Sequence, residues 1–232
     1  MAPLTSDSSD WREWRGLLAV LFALILLRAM AVDWSHVPSR SMAPGIVPGD
    51  RILVNKLAYG LRLPFTDAPL MQWHTPQRSD AVVFLAPRSG LLTVKRVIGV
   101  PGDRVSWRDG ILRVNGIDAI YHRTTANSAV MSLASAQAPV QVYSESLLQQ
   151  DHTIFLRRAN RSRLGAKDFV EVAVPEHHYL MLGDNRDNSS DYRAFGFVPK
   201  EALVGRVSYI LFSLNPQNYY LPRWQRWGSA LD

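Results

Sequence analysis

Cysteine is absent from the 232 residues of this chain, which excludes disulfides, zinc–thiolate sites and a cysteine nucleophile. Histidine is scarce. Of the six, His36, His74, His122 and His152 stand singly, and the consecutive His177 and His178 would face opposite ways in a strand. None has the serine and carboxylate context of a histidine triad, and no H-E-x-x-H pattern occurs, so no metal is expected. Acidic residues are the minority charge, 20 against 26 basic, which gives a net charge of +6 and a pI near 9.8. That balance suits nucleic acid, an anionic membrane surface or nothing specific. The one dense basic cluster, Arg157-Arg158 with Arg161-Ser162-Arg163, reads as a solvated loop. It comes with no nucleic-acid fold motif, so no nucleic-acid partner is expected and anionic lipid ranks second.

Long apolar runs are confined to the N-terminus. Residues 1–10 are small and polar, and residues 16–32 are apolar except for Arg28. As a helix that run spans roughly 25 Å, just short of a typical hydrocarbon core. Trp11, Trp14 and Trp34 bracket it where interfacial aromatics belong, and Arg28 lies close enough to one end to snorkel. Arg12 and Arg15 precede the run and Asp33 follows it, which places the N-terminus in the cytoplasm. A second reading stays open: residues 17–27 have the length of a signal-peptide apolar region, and Ala29-Met30-Ala31 is an A-x-A cleavage pattern. In both readings the rest of the chain is exported.

After Val37 the pattern changes to short branched and aromatic runs, among them Arg51-Ile52-Leu53-Val54, Ala81-Val82-Val83-Phe84-Leu85 and His178-Tyr179-Leu180-Met181-Leu182. Turn residues bound them, so the body is mainly β. Asp109-Gly110 and Asn115-Gly116 flank one short run and predict a β-meander. Residues 117–167 differ, since 126–150 are rich in Ala, Ser and Gln; the region reads as an inserted subdomain away from the chemistry. The expected division is a tail (1–15), a transmembrane anchor (16–33), a catalytic β domain in two parts (34–116 and 171–232) and a smaller insertion (117–170).

Two stretches carry chemistry. Val37-Pro38-Ser39-Arg40-Ser41-Met42-Ala43-Pro44 places serines on a proline-stiffened segment just after the apolar run. Leu91-Leu92-Thr93-Val94-Lys95-Arg96 ends a hydrophobic strand on a lysine. A serine hydroxyl needs a base to take its proton, and a lysine serves if burial lowers its pKa. Lys95, with Val97 and Ile98 beyond it, suits that role better than Lys56, Lys167 or Lys200. Taken alone, Lys95 reads more simply as a strand-end lysine reaching solvent.

Four blocks together resemble the bacterial type I signal peptidases, membrane-bound serine–lysine endopeptidases of the exported face. They are Pro38-Ser39-Arg40-Ser41-Met42-Ala43-Pro44, Gly49-Asp50-Arg51-Ile52-Leu53-Val54-Asn55-Lys56, Lys95-Arg96-Val97-Ile98-Gly99-Val100-Pro101-Gly102-Asp103, and Gly183-Asp184-Asn185-Arg186-Asp187-Asn188-Ser189-Ser190-Asp191. The resemblance makes Ser41 the nucleophile and Lys95 the general base. It gives Ser39 a place in the oxyanion hole beside the Ser41 N–H, and makes Ser189 the hydroxyl that orients the lysine amine. Arg96, Asp191 and Arg193 become the charged supports behind the site. Substrate would add as a strand near Val37-Pro38-Ser39 and near Leu92-Thr93-Val94, with Val37, Met42 and Val94 lining pockets for small side chains.

The resemblance further implies secreted preproteins as substrates, cleavage after small-x-small sites, no cofactor, contact with membrane lipids and a single-pass place in the bacterial inner membrane with the catalytic domain outside; it sets no oligomeric state. A specialised processing peptidase of one secretion or conjugation system, and a non-catalytic peptide-binding membrane protein, are the alternatives. Three positions depart from the family pattern. Arg40 stands where glycine is common, Gly45-Ile46 replaces Thr-Leu, and Tyr192 replaces serine.

Overall fold

The computed structural model describes residues 10–62, 69–125, 140–156 and 168–231. The basic cluster at 157–163 and most of the Ala- and Ser-rich stretch lie outside the described residues. Among those described, one nine-stranded antiparallel sheet dominates. Its order is Val32–His36, Asp50–Asn55, Leu203–Asn215, Ala81–Leu85, Leu92–Gly99, His178–Leu182 and Val198–Pro199, with the short Leu221–Pro222 and Ser229–Ala230 also pairing Leu203–Asn215. The mainly β reading holds.

Local chemistry explains several pieces. The meander Arg104–Arg108, Ile111–Val114 and Ile117–Asp118 forms as the turn dipeptides predict, joined by Phe169–Ala173 on its other edge. Both turn residues of each dipeptide have positive φ, 49° and 79° at Asp109-Gly110, 52° and 81° at Asn115-Gly116. That is the two-residue turn whose twist suits a hairpin. Strand alternation does the rest: in Asp50–Asn55 every second residue is buried, so Ile52 and Val54 enter one apolar cluster with Val37, Met42, Ile46, Ala81, Val83 and Val207. This cluster lies directly under the serine segment. Each such side chain contributes about 1.5–3 kcal/mol on burial.

The described part of the region expected to stand apart is bonded to the rest of the chain. Ile120–Arg123, Gln141–Leu147 and Gln150–Leu156 form a three-stranded sheet, and its last strand is bonded to the serine segment and to the block at 183–191. The Phe155 N–H donates to the Asp184 carbonyl at 2.9 Å, the Arg186 N–H donates to the Phe155 carbonyl at 3.0 Å, and Pro44 forms an isolated bridge with Ile154. Of residues 117–167, expected to lie away from the chemistry, the described Ile154 and Phe155 are bonded to the serine segment and the block at 183–191. Composition suggested a separate insertion, but the backbone of Ile154 and Phe155 pairs with two loops far away in sequence.

The N-terminal segment is a helix, Asp10–Met30, that exposes Trp14, Leu17, Leu18, Val20, Leu21, Phe22, Leu24 and Ile25. No described helix is long and apolar enough to cross a membrane. The extended strand begins at Val32, so helical geometry stops before the apolar run does.

Candidate active site

Lys95 lies on Leu92–Gly99, a strand whose two edges differ. On one side it pairs along residues 92–96 with Ala81–Leu85; on the other, His178–Leu182 pairs only from Arg96 onward. Among the described residues, 92–95 thus have an unpaired edge beside the serine segment. Successive strand residues point to opposite faces, so Lys95 and Arg96 enter different environments.

The Lys95 ammonium group reaches across 54 positions of sequence to Ser41, with Nζ 2.6 Å from Ser41 Oγ. It also donates to the Val94 carbonyl at 3.0 Å. The lysine is only 3% exposed and Ser41 8%. Desolvation pushes the Lys95 pKa down from its ordinary 10.5 to about 8, against the opposing pull of Asp191 and Asp184. Ser39 Oγ is 3.2 Å from Ser41 Oγ.

The serine loop is pinned at several points. Its carbonyls at Arg40 and Met42 accept from the Ala43 and Ile46 N–H groups at 3.1 and 2.9 Å. The Ala43–Pro44 peptide is cis, and Met42 is fully buried beneath. Asn185 holds the loop from the last block: its N–H donates to the Ser41 carbonyl at 3.1 Å, and its Nδ2 donates to the Arg40 carbonyl at 3.1 Å. Gly183 must be glycine here, because a Cβ would collide with both the Ser41 carbonyl, at 2.5 Å, and the Ser189 side chain.

Behind Ser41 and Lys95 stand two ion pairs. Arg96 donates from Nε and Nη2 to the two Asp184 oxygens at 2.8 and 2.7 Å, with both side chains buried. Asp191 accepts from the Gly183 N–H at 3.1 Å and from Arg193 Nε and Nη2 at 2.8 and 2.7 Å. Burial alone would raise the Asp191 pKa, but the Arg193 guanidinium and the Gly183 N–H outweigh it and hold the carboxyl below its usual range.

Ser189 is placed differently from the rest. Its hydroxyl is buried without a partner of hydrogen-bond geometry, and it faces Asp191 closely enough to favour the ionised carboxylate. The Lys95 amine bonds Ser41 and Val94 instead. Of the substrate-side residues, Val37 and Met42 are buried in one cluster with Val94 packed against it, whereas Pro38 is exposed and Thr93 partly buried.

Sequence reasoning missed four contributors. Asp184 and Asn185 stood inside a quoted block, and the need of a buried Arg96 for a carboxylate could have singled out the former. The third is Arg226, near the C-terminus. It donates from Nη2 to the Gly45 carbonyl at 2.7 Å and to Asp50 Oδ2 at 2.6 Å, while Asp50 accepts from the Val47 N–H at 2.8 Å. No local signal marks that pairing. The fourth is a buried group on the docked hairpin, Glu145 with His152, which meets Arg186 of the last block.

Two of the family departures have a structural account. At Gly45 a Cβ would meet Asp184 Oδ2 at 3.4 Å, an ordinary contact, so the loop does not depend on glycine there. Tyr192 packs its ring on Phe169 and Phe197, with centroids 5.0 and 4.9 Å apart, filling an aromatic cluster that a serine would leave open.

Comparisons with known proteins bear on the family. The profile of the family described as "Signal peptidase, peptidase S26" matches residues 11–212. Signal peptidase I of Pseudomonas aeruginosa is 35% identical over 227 residues, covering 92% of this chain and 77% of the relative. Those of Rickettsia canadensis and Aquifex aeolicus are 31% and 30% identical, covering 90% and 85% of this chain and 82% of each relative. The crystal structure of a signal peptidase I from Enterococcus faecalis V583, 32% identical, covers 57% of this chain and 97% of its own with a TM-score of 0.34, too loose a superposition to bear on the fold. The family match spans most of the chain and includes the serine loop, the lysine strand and the last block: this protein belongs to the signal peptidase family, peptidase S26.

Proposed function

We infer that this chain is the serine endopeptidase that removes N-terminal signal peptides from exported preproteins, cutting after small-x-small sites with Ser41 as nucleophile and Lys95 as general base. The observation that carries the reading is the 2.6 Å contact between Lys95 Nζ and Ser41 Oγ in a site dry enough to bring the lysine pKa to about 8. At pH 7 roughly a tenth of such amines are neutral, and the fraction grows tenfold per pH unit below the pKa.

The neutral amine takes the Ser41 proton as Oγ attacks the scissile carbonyl. Negative charge then develops on the carbonyl oxygen, where the Ser41 N–H and the Ser39 hydroxyl supply donors; such a donor is worth about a hundred- to a thousandfold in rate. Collapse breaks the C–N bond, and the leaving amine receives its proton from the Lys95 ammonium. A water activated by the same lysine hydrolyses the acyl-enzyme. The buried Ser189 hydroxyl, beside Asp191, supports a role as a further acceptor for the amine during these transfers. Arg96, Asp191 and Arg193 act through the backbone they hold, not on the substrate.

The unpaired edge at residues 92–95 offers main-chain groups to an extended peptide. Val37, Met42 and Val94 close the space beneath it, which favours alanine-sized residues at −1 and −3. The helix Asp10–Met30, with its exposed apolar side chains, supports membrane anchoring in the bacterial inner membrane with the N-terminus in the cytoplasm. Beside it, Asp33 bridges Arg28 and Lys56 at 3.3 and 3.2 Å, and Arg28 stacks 3.9 Å from the Trp34 ring centre. That is the chemistry of a polar–apolar boundary.

The test is cleavage of a purified preprotein by the detergent-solubilised full chain, beside Ser41→Ala and Lys95→Ala, with mass spectrometry of the products. Cleavage after a small-x-small site that both substitutions abolish is the expected result. Cleavage that survives Ser41→Ala refutes the nucleophile.

A further inference from the structure

Gln141–Leu147 and Gln150–Leu156 form a hairpin in which Glu145 and His152 are direct cross-strand partners. Cross-strand partners project to the same face, and here that face is turned inward: both side chains are buried. His152 Nε2 lies 2.9 Å from Glu145 Oε2. The third member comes from the last block. Arg186 grips Glu145 with both terminal nitrogens, Nη1 at 2.5 Å from Oε1 and Nη2 on Oε2, and its guanidinium lies over the Trp107 ring at 5.2 Å.

From this cluster a short covalent and hydrogen-bonded route leads to the nucleophile. Arg186 is next to Asn185, whose N–H and side chain bond the Ser41 and Arg40 carbonyls. The Arg186 carbonyl accepts from Arg193 Nη2 at 2.7 Å, which ties it to the Asp191 pair. On the hairpin side, Phe155 bonds Asp184 and Arg186, and Ile154 bridges Pro44. The hairpin therefore holds the serine loop at Pro44 and the last block at residues 184–186.

Resting on the Ser41–Lys95 reading, we infer that Glu145 is a positioning residue for the reaction: by fixing the Arg186 fork it sets the docking of the hairpin, and through Asn185 the placement of the Ser41 backbone. Stability alone does not account for a buried ion group, because well-packed apolar residues of similar volume are often as stabilising. What a bidentate arginine–carboxylate pair adds is a fixed direction. A dyad with a 2.6 Å contact needs such direction, since misplacement by about 1 Å costs on the order of a hundredfold.

The experiment compares the full chain in detergent as wild type, Glu145→Gln, the double variant Glu145→Leu/Arg186→Met, and Ser41→Ala, measuring kcat, KM, the pH midpoint and the thermal midpoint. Glu145→Gln is expected to lower kcat about ten- to a hundredfold with KM and the pH midpoint unchanged. The double variant removes both charges together, so it is expected to melt at or above the wild-type temperature while kcat stays low. It keeps the test decisive if the single variant fails to fold. Wild-type kcat in a folded Glu145→Gln or double variant overturns the inference. So does a loss that appears in KM alone, or one no larger than the loss of folded protein. If Ser41→Ala still cleaves, the dyad itself is wrong and the inference falls with it; if Ser41→Ala is dead and the Glu145 variants are fully active, only the positioning role falls.

Discussion

Lys95 and Arg96 are neighbours on one strand, both cationic by type and both buried, yet the protein treats them in opposite ways. Arg96 faces a carboxylate, Asp184, that meets it with two hydrogen bonds. Desolvation pulls its pKa down, but the Asp184 charge more than restores it, and the guanidinium stays charged. Lys95 faces a hydroxyl and a carbonyl; its carboxylates, Asp191 and Asp184, act only at a distance, and desolvation wins. A single strand thus delivers a permanent cation to one face and a titratable base to the other. The presence or absence of one contacting carboxylate decides which is which.

Exchanging the two cations tests this most severely. Lys95→Arg keeps a cation but installs a group that cannot deprotonate, so preprotein cleavage should fall at least about a thousandfold at every pH. Arg96→Lys should retain measurable kcat and lose mainly stability. Activity in Lys95→Arg would end the general-base assignment.

Removing the partner is the next step down. Asp184→Asn takes from buried Arg96 the carboxylate that accepts two of its hydrogen bonds, which should destabilise the fold by about 3–5 kcal/mol, read as a lower denaturant midpoint. A variant as stable as wild type would mean that the pair is replaceable by water.

The complementary prediction is a gain. The folded Lys95 pKa, about 8 against an ordinary 10.5, lies below the unfolded value, so the folded state binds fewer protons between them. Lys95 therefore costs stability at and below pH 8, and the cost fades as pH rises from 8 to 10.5. Lys95→Met should raise stability by up to about 3 kcal/mol at pH 6, with the advantage shrinking above pH 8. Cleavage by the wild type should rise as the folded lysine deprotonates, within about one pH unit either side of a midpoint near pH 8. A stability gain that ignores pH would show that packing, not charge, is responsible.

Least of all should change with Gly45→Ala. Its new methyl meets Asp184 Oδ2 at ordinary contact distance, so thermal stability should stay within about 0.5 kcal/mol, as for substitutions that touch no special feature, and kcat should hold. A large loss would mean that the Arg96–Asp184 pair does not tolerate even that contact.

Legibility followed sequence separation. The turn pairs Asp109-Gly110 and Asn115-Gly116 act within a few residues, and the meander they predict is present. The apolar alternation of residues 50–55 reports directly which side chains enter the core. Ser41 and Lys95 were candidates only through the four blocks taken together, since Lys95 alone reads as a strand-end lysine reaching solvent. The docking of the hairpin was not, since residues 126–150 have a composition that says nothing of where Ile154 and Phe155 find their hydrogen bonds. Arg226 gave no sign of Asp50, 176 positions away, and nothing near Glu145 announced Arg186.

What the sequence determines unaided is the set of chemical groups, the strands and turns, and the order of the blocks, because each depends on neighbours along the chain. What only the tertiary structure decides is the state of those groups. The Lys95 pKa falls because the fold removes the amine from water and sets it against Ser41, with no carboxylate in contact among the described residues; water would have kept it charged.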